Sequence, residues 1–268
     1  MNPLKKLLGQ TAIYGLSSIV GRLLNYLLVP LYTRYFTTSE YGDVTLLYAF
    51  VAFLLIVLTY GMETAFFRFS QRHPNKSTVY STSLISLLIS SCLFLVLTLF
   101  NAQAIADALS FSAHPEYVQY FALILALDAL SAISFAKLRE QNRALRFASV
   151  RLFNIFVNIG LNLFFIVYCP LALSNNLQGA ELIQNIYSED IGIGYIFIAN
   201  LVASALTLLL FVPEMLKSSW RFDAVLWRKM MLYALPLMVA GLAGITNETI
   251  DRILLKYLLP ADISASEI

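Results

Sequence analysis

Residues 79–100 read VYSTSLISLLISSCLFLVLTLF, a run without one charged side chain, with Arg72 and Lys76 standing just before it. A helix rises 1.5 Å per residue, so a hydrocarbon core of roughly 30 Å needs about 20 such residues. The run meets that length and predicts a transmembrane helix. Six further stretches behave alike: 7–33, 44–62, 117–136, 152–173, 191–213 and 230–250. The first is interrupted only by Arg22, the fourth by Asp128, and the seventh carries Glu248 near its end. Strands of a membrane barrel are about 10 residues long and alternate in polarity, which these runs do not. The expected fold is an all-α integral membrane protein of about seven transmembrane helices.

Composition agrees. The chain has 268 residues, 59% hydrophobic and 13% charged, with a mean hydropathy of +0.73. Soluble domains are about 25% charged, so half that value calls for an apolar solvent. Cys92 and Cys169 both lie in apolar runs, and no Cys/His cluster suggests zinc or a disulfide framework. Lys5 and Lys6 precede an apolar stretch as in a signal peptide. That stretch contains Arg22, runs past Tyr32 and lacks a small-x-small cleavage site, so it reads as a retained first span.

Positive charge sets the orientation. Lys5 and Lys6, then Arg68, Arg72 and Lys76, then Lys137, Arg139, Arg143, Arg146 and Arg151, then Lys217, Arg221, Arg228 and Lys229 all fall on one side of an alternating topology. The connections around 101–116 and 174–190 have no Lys or Arg but hold Asp107, Glu116, Glu181, Glu189 and Asp190. The N-terminus is therefore expected in the cytoplasm. The basic clusters are read as topogenic signal rather than as nucleic-acid or anionic-lipid patches, and no nucleic-acid partner is expected. Residues 102–113 are mildly amphipathic and are placed at the outer interface or in a plain loop.

Two segments repeat. Asn25 is followed by Arg34-Tyr35 and then by Ser39-Glu40-Tyr41-Gly42. Asn247 is followed by Lys256-Tyr257 and then by Ser266-Glu267-Ile268. Internal repeats are common in transporters, with substrate sites between them. On this reading 1–225 forms a six-helix bundle, 226–268 opens a second pseudo-symmetric bundle, and the chain is expected to be an N-terminal fragment or half-protein.

The run from Thr11 through Gly21-Arg22 to Tyr35, then Ser39-Glu40-Tyr41-Gly42, then Tyr60-Gly61-Met62-Glu63 to Arg68, resembles the start of bacterial polysaccharide-export flippases. These belong to the multidrug/oligosaccharidyl-lipid/polysaccharide exporter superfamily. The resemblance is best over 10–70 and returns around Thr249–Leu259. It implies two six-helix bundles around a cavity open to one side at a time. It further implies an oligosaccharide on undecaprenyl pyrophosphate, moved from the inner to the outer leaflet of the bacterial inner membrane. Possible partners on this resemblance are a coupling ion, sodium or proton, membrane lipids, and the polymerase or glycosyltransferases of the same pathway.

Charge at the bilayer centre costs about 2.5–3.5 kcal/mol on insertion scales, so Arg22 and Asp128 must face protein or water. Either they form a buried pair that fixes helix register, or Arg22 meets substrate phosphate with its planar fork and Asp128 competes for it. Asn154, Asn158 and Asn162 recur every four residues, on one helix face. They either bond sugar hydroxyls or bond neighbouring helices. Asn25, Asn200 and Ser204 are lesser candidates of the same kind. Glu248 and Arg252 form a local i,i+4 pair beside Asn247 and Asp251. Glu63 is expected to be neutralised by Arg68 or by a partner helix. His73 and His114 are too isolated to ligate metal, Pro30 and Pro236 are candidate kinks, and no cofactor is implied. No nucleophile elbow, P-loop, GxGxxG or HExxH is present, so nothing in the sequence suggests an enzyme. The leading alternatives are a cation-coupled multidrug antiporter, with Asp128 as its coupling acid, and after it a membrane-embedded glycosyltransferase or ligase.

Overall fold

In hydrocarbon every backbone N–H and C=O must find a partner within the protein, so the long apolar runs resolve as helices. The computed structural model describes residues 3–258 apart from 110 and 176–179, and leaves out several side chains, among them Asn25 and residues 247–253. Among the described residues seven helical stretches are long and apolar enough to cross a membrane: Ala12–Tyr35, Thr38–Arg72, Lys76–Phe100, Pro115–Glu140, Ala144–Ser174, Gly194–Leu216 and Ala224–Thr246. No strand occurs among the described residues.

The first span is α1 (Pro3–Tyr26) continued by α2 (Leu28–Tyr35), and the second is α3 (Thr38–Thr59) continued by α4 (Met62–Arg72). Next come α5 (Lys76–Phe100), the short α6 (Ala102–Ala108) and α7 (Pro115–Glu140). The fifth span runs through α8 (Ala144–Asn162), a π-helical stretch (Leu163–Tyr168) and α9 (Cys169–Ser174). The outer connection holds α10 (Ala180–Ile186), and the sixth and seventh spans are α11 (Gly194–Leu216) and α12 (Ala224–Leu258).

The expected spans are all present, and several extend past their expected ends. Charged residues at the basic end stay on the helices that bear them: Arg68 and Arg72 on α4, Lys137 and Arg139 on α7, Arg146 and Arg151 on α8. Local stop and start signals are clear. Thr37 and Glu40 form a capping box that opens α3, so the Ser39-Glu40-Tyr41-Gly42 motif is a helix start. Asn75 caps α5 by accepting from the amides of Ser77 and Thr78. Between α3 and α4 the backbone turns left-handed at Tyr60 (φ 37) and Gly61 (φ 74). A Cβ on Gly61 would lie 2.7 Å from the carbonyl oxygen of Ala234 on α12. Only glycine fits both the conformation and that approach.

α7 is the hub, packed against α3, α4, α5, α6, α8 and α11. α1 rests on α8, and α12 rests on α3, α4 and α5. One apolar cluster joins α4, α5, α7, α11 and α12 around Phe66, Leu138, Phe211 and Met230. A second fills the acidic half of the bundle around Tyr117, Phe121 and Phe197, with Ala102 and Ala106 of α6 packed into it. Residues 102–108 are thus a docked helix rather than a plain loop.

Candidate functional site

Five helices turn polar residues toward one another in the basic half. On α7, Asp128, Ser131, Phe135 and Arg139 follow in steps of three and four residues and share a face. On α8 the face is Phe147, Arg151 and Asn154, and on α11 it is Asn200, Ser204 and Thr207. With Gly21 and Arg22 of α1, Leu55 of α3 and Glu63 of α4, these residues line a cavity of about 510 Å³. Its walls are close: a Cβ on Gly21 would lie 2.8 Å from Ile155 of α8, so the small residue lets α1 approach.

Polar contacts order the lining. Asn154 Nδ2 donates to Thr207 Oγ1 at 3.0 Å. Asn200 Nδ2 donates to the Tyr48 hydroxyl at 3.0 Å, at the boundary with the aromatic cluster. Ser204 lies within hydrogen-bonding reach of Asp128. The Ser131 hydroxyl is buried and bonds no protein group among the described residues. Toward the basic end, Arg139 Nη2 donates to Glu63 Oε2 at 2.6 Å. These two residues also line a second cavity of about 670 Å³ between α1, α3, α4, α7 and α12. The Glu63–Arg139 pair therefore stands in the wall shared by the two chambers, two residues beyond the Gly61 turn.

Of the residues expected at a site, Arg22, Asp128 and Asn154 come together in the cavity, with Asn200 and Ser204. Arg22 and Asp128 share it without forming an ion pair, since the ion pairs among the described residues join other groups. Asn158 and Asn162 do not line it. Asn162 is fully buried, accepts from the Tyr32 hydroxyl at 3.0 Å and donates to the Asn158 side chain at 3.0 Å. These amides tie α8 to α2, which is the interhelical alternative for the stripe. The side chains of Asn25, Asn247, Glu248, Asp251 and Arg252 lie outside the described residues.

Sequence reasoning missed Ser131, Arg139, Arg151 and Thr207. The two arginines read as topogenic charge, and the three-and-four spacing of α7 was the available signal. Glu63 finds its partner on α7, while the Arg68 guanidinium lies 4.2 Å from the centre of the Tyr233 ring. His114 bonds Glu116 at 2.7 Å and stacks on Tyr117. No His/Cys/Asp/Glu group among the described residues is placed to hold a metal.

The membrane bundle thus encloses a polar cavity lined by guanidinium, carboxylate and amide groups. Residues 7–265 match the polysaccharide biosynthesis protein family. The chain belongs to that family. This polysaccharide biosynthesis protein is thus a multi-pass membrane protein of a family whose members are generally transporters rather than enzymes. No curated protein and no solved structure matches it.

Proposed function

We propose that this protein is a flippase for undecaprenyl-pyrophosphate-linked oligosaccharide. It moves its substrate from the inner to the outer leaflet of a bacterial inner membrane by alternating access, with the basic end in the cytoplasm. The observation that carries this reading is the cavity of about 510 Å³, which places Arg22 and Arg139 near Asp128, Asn154 and Asn200. Guanidinium forks suit pyrophosphate oxygens, and amides donate to and accept from sugar hydroxyls. Arg22 takes the phosphate charge; Asp128, Asn154 and Ser131 face the sugars. Asn158 and Asn162 act from outside this lining by holding α8 on α2. Residues 1–225 serve as the first bundle and 226–268 as the opening helix of a second, α12 resting on α3, α4 and α5 of the first.

The test is turnover of fluorescent lipid-linked oligosaccharide by the purified protein in liposomes. Wild type is expected to flip it, Arg22→Ala to fail and Arg22→Lys to be impaired, because lysine keeps the charge and loses the fork. Transport at the wild-type rate by both variants overturns the role of Arg22. A second reading, a cation-coupled antiporter, draws on Asp128, which lies in the cavity outside any ion pair. Uptake of a lipophilic cation that requires a sodium or proton gradient and disappears in Asp128→Asn would favour it.

A further inference from the structure

A separate cavity of about 300 Å³ opens at the basic end between the termini of α5, α7 and α11, away from the transport cavity. Its lining carries four cations, Lys76, Lys137, Arg143 and Lys217, against two carboxylates, Glu140 and Glu214. One oxygen of each carboxylate is engaged, while Glu214 Oε2 is buried without a hydrogen-bond partner among the described residues. Lys76 Nζ is 2.6 Å from Glu140; Arg143 and Arg146 both hold Glu214 Oε1, at 2.9 and 2.7 Å. Lys137 and Lys217 are left without a carboxylate among the described residues.

Lys137 is held by its side chain, and Lys217 only through the backbone that carries it. The Lys137 ammonium lies 3.8 Å from the centre of the Tyr80 ring, and the Tyr80 hydroxyl is fixed at 3.1 Å from Ser134. Lys217 precedes Ser218 and Ser219, whose hydroxyls lie 2.6 and 2.9 Å from Ser81 of α5, so the connection that bears it is fastened across the cavity mouth. One positioned ammonium group, Lys137, and a second, Lys217, exposed at the mouth, with surplus charge and hydroxyls on the rim, match a phosphate-bearing anion. Trp220, three residues beyond Lys217, is 44% exposed, as suits an indole at headgroup depth.

We infer that this cavity is an anion site that takes the phosphate of an acidic phospholipid headgroup or inorganic phosphate from solution. The site is independent of which solute the transport cavity carries. The experiment reads retained phosphatidylglycerol by native mass spectrometry, with the full chain in nanodiscs of phosphatidylcholine doped with phosphatidylglycerol. Losing one charge-assisted contact of the expected strength weakens binding about ten-fold, so the Lys137→Gln/Lys217→Gln pair should drop by at least that. Arg221→Gln/Lys229→Gln, which removes equal charge from the same face, should leave retention near wild type. Lys217→Gln alone, at an exposed position, should show the loss with unchanged thermal stability. Equal loss from both pairs, or none from the first, overturns the site. Inorganic phosphate, titrated against Trp220 fluorescence in a Trp227→Phe background, distinguishes the sources. Saturation at millimolar phosphate together with displacement of the lipid assigns the site to soluble phosphate; a flat titration beside lysine-dependent retention assigns it to the headgroup.

Discussion

Along the facing sides of α3, α7 and α11 the acidic and basic halves of the bundle are filled differently. In the acidic half, Tyr48 of α3, Tyr117 and Phe121 of α7 and Phe197 of α11 interlock, with Phe121 and Phe197 centroids 4.7 Å apart and Tyr117 and Phe197 5.0 Å apart. A few turns along, the same helices present Leu55, Asp128 to Arg139, and Asn200 to Thr207 around a cavity. The change occurs at the Asn200–Tyr48 hydrogen bond. Where these facing sides are filled and where they open is therefore decided turn by turn along each helix, by whether the inward position is an aromatic ring or a short polar side chain.

The strongest way to break this contrast is to hollow the solid half. Phe197 is fully buried, and Phe→Ala in such a site costs about 3–5 kcal/mol in water-soluble proteins. The low end is expected here, because in lipid the loss is of packing rather than of transfer from water. Phe135→Ala, in the cavity wall, should cost clearly less, since one side of its ring already faces space. Unfolding of the two variants in mixed micelles measures both; equal costs would mean that the halves are packed alike.

The hinge that bounds the hollow half comes next. Gly61→Val must hold a left-handed backbone and displace Ala234 of α12, and strained backbone of this kind costs about 1–3 kcal/mol. Gly244→Ala on α12, where a Cβ meets nothing within 4 Å, should be neutral or slightly stabilising by helix propensity. Thermal unfolding of this pair isolates the close approach from the general effect of adding a methyl group.

The seven helices were legible in the sequence because apolar length is a strong signal and alternating Lys and Arg phase it. Their ends were not, because the helices carry charged residues past the apolar run, as α7 and α8 do with Arg139 and Arg151, and such residues look like loop. The site was half legible. Arg22, Asp128 and Asn154 stood out as polar groups at bilayer depth, and the cavity gathers them. The stripe of Asn154, Asn158 and Asn162 is a single face, as its spacing says. Which neighbour each amide meets depends on where α2 ends and the cavity begins, and that is tertiary information. Glu63 is similar: Arg68 is near in sequence, but the Gly61 turn aims the carboxylate at Arg139 instead.

That divided stripe offers the finest test of the contrast. Asn162→Ala removes a buried amide and strips the Tyr32 hydroxyl of its acceptor, which costs about 1–3 kcal/mol when the group left behind cannot reach water. Asn154→Ala loses one bond to Thr207, and interhelical hydrogen bonds in membranes average about 0.6 kcal/mol. In stability, then, Asn162 outweighs Asn154. In transport the order should reverse. Asn154 faces the cavity, and loss of an amide contact to a bound solute worth about 1.4 kcal/mol slows turnover about ten-fold at limiting substrate. Asn162→Ala should transport at the rate its folded fraction allows. Wild-type turnover by Asn154→Ala would place that amide with the structural ones and shrink the working face of α8 to Arg151, about one helical turn from Ile155, and its immediate neighbours.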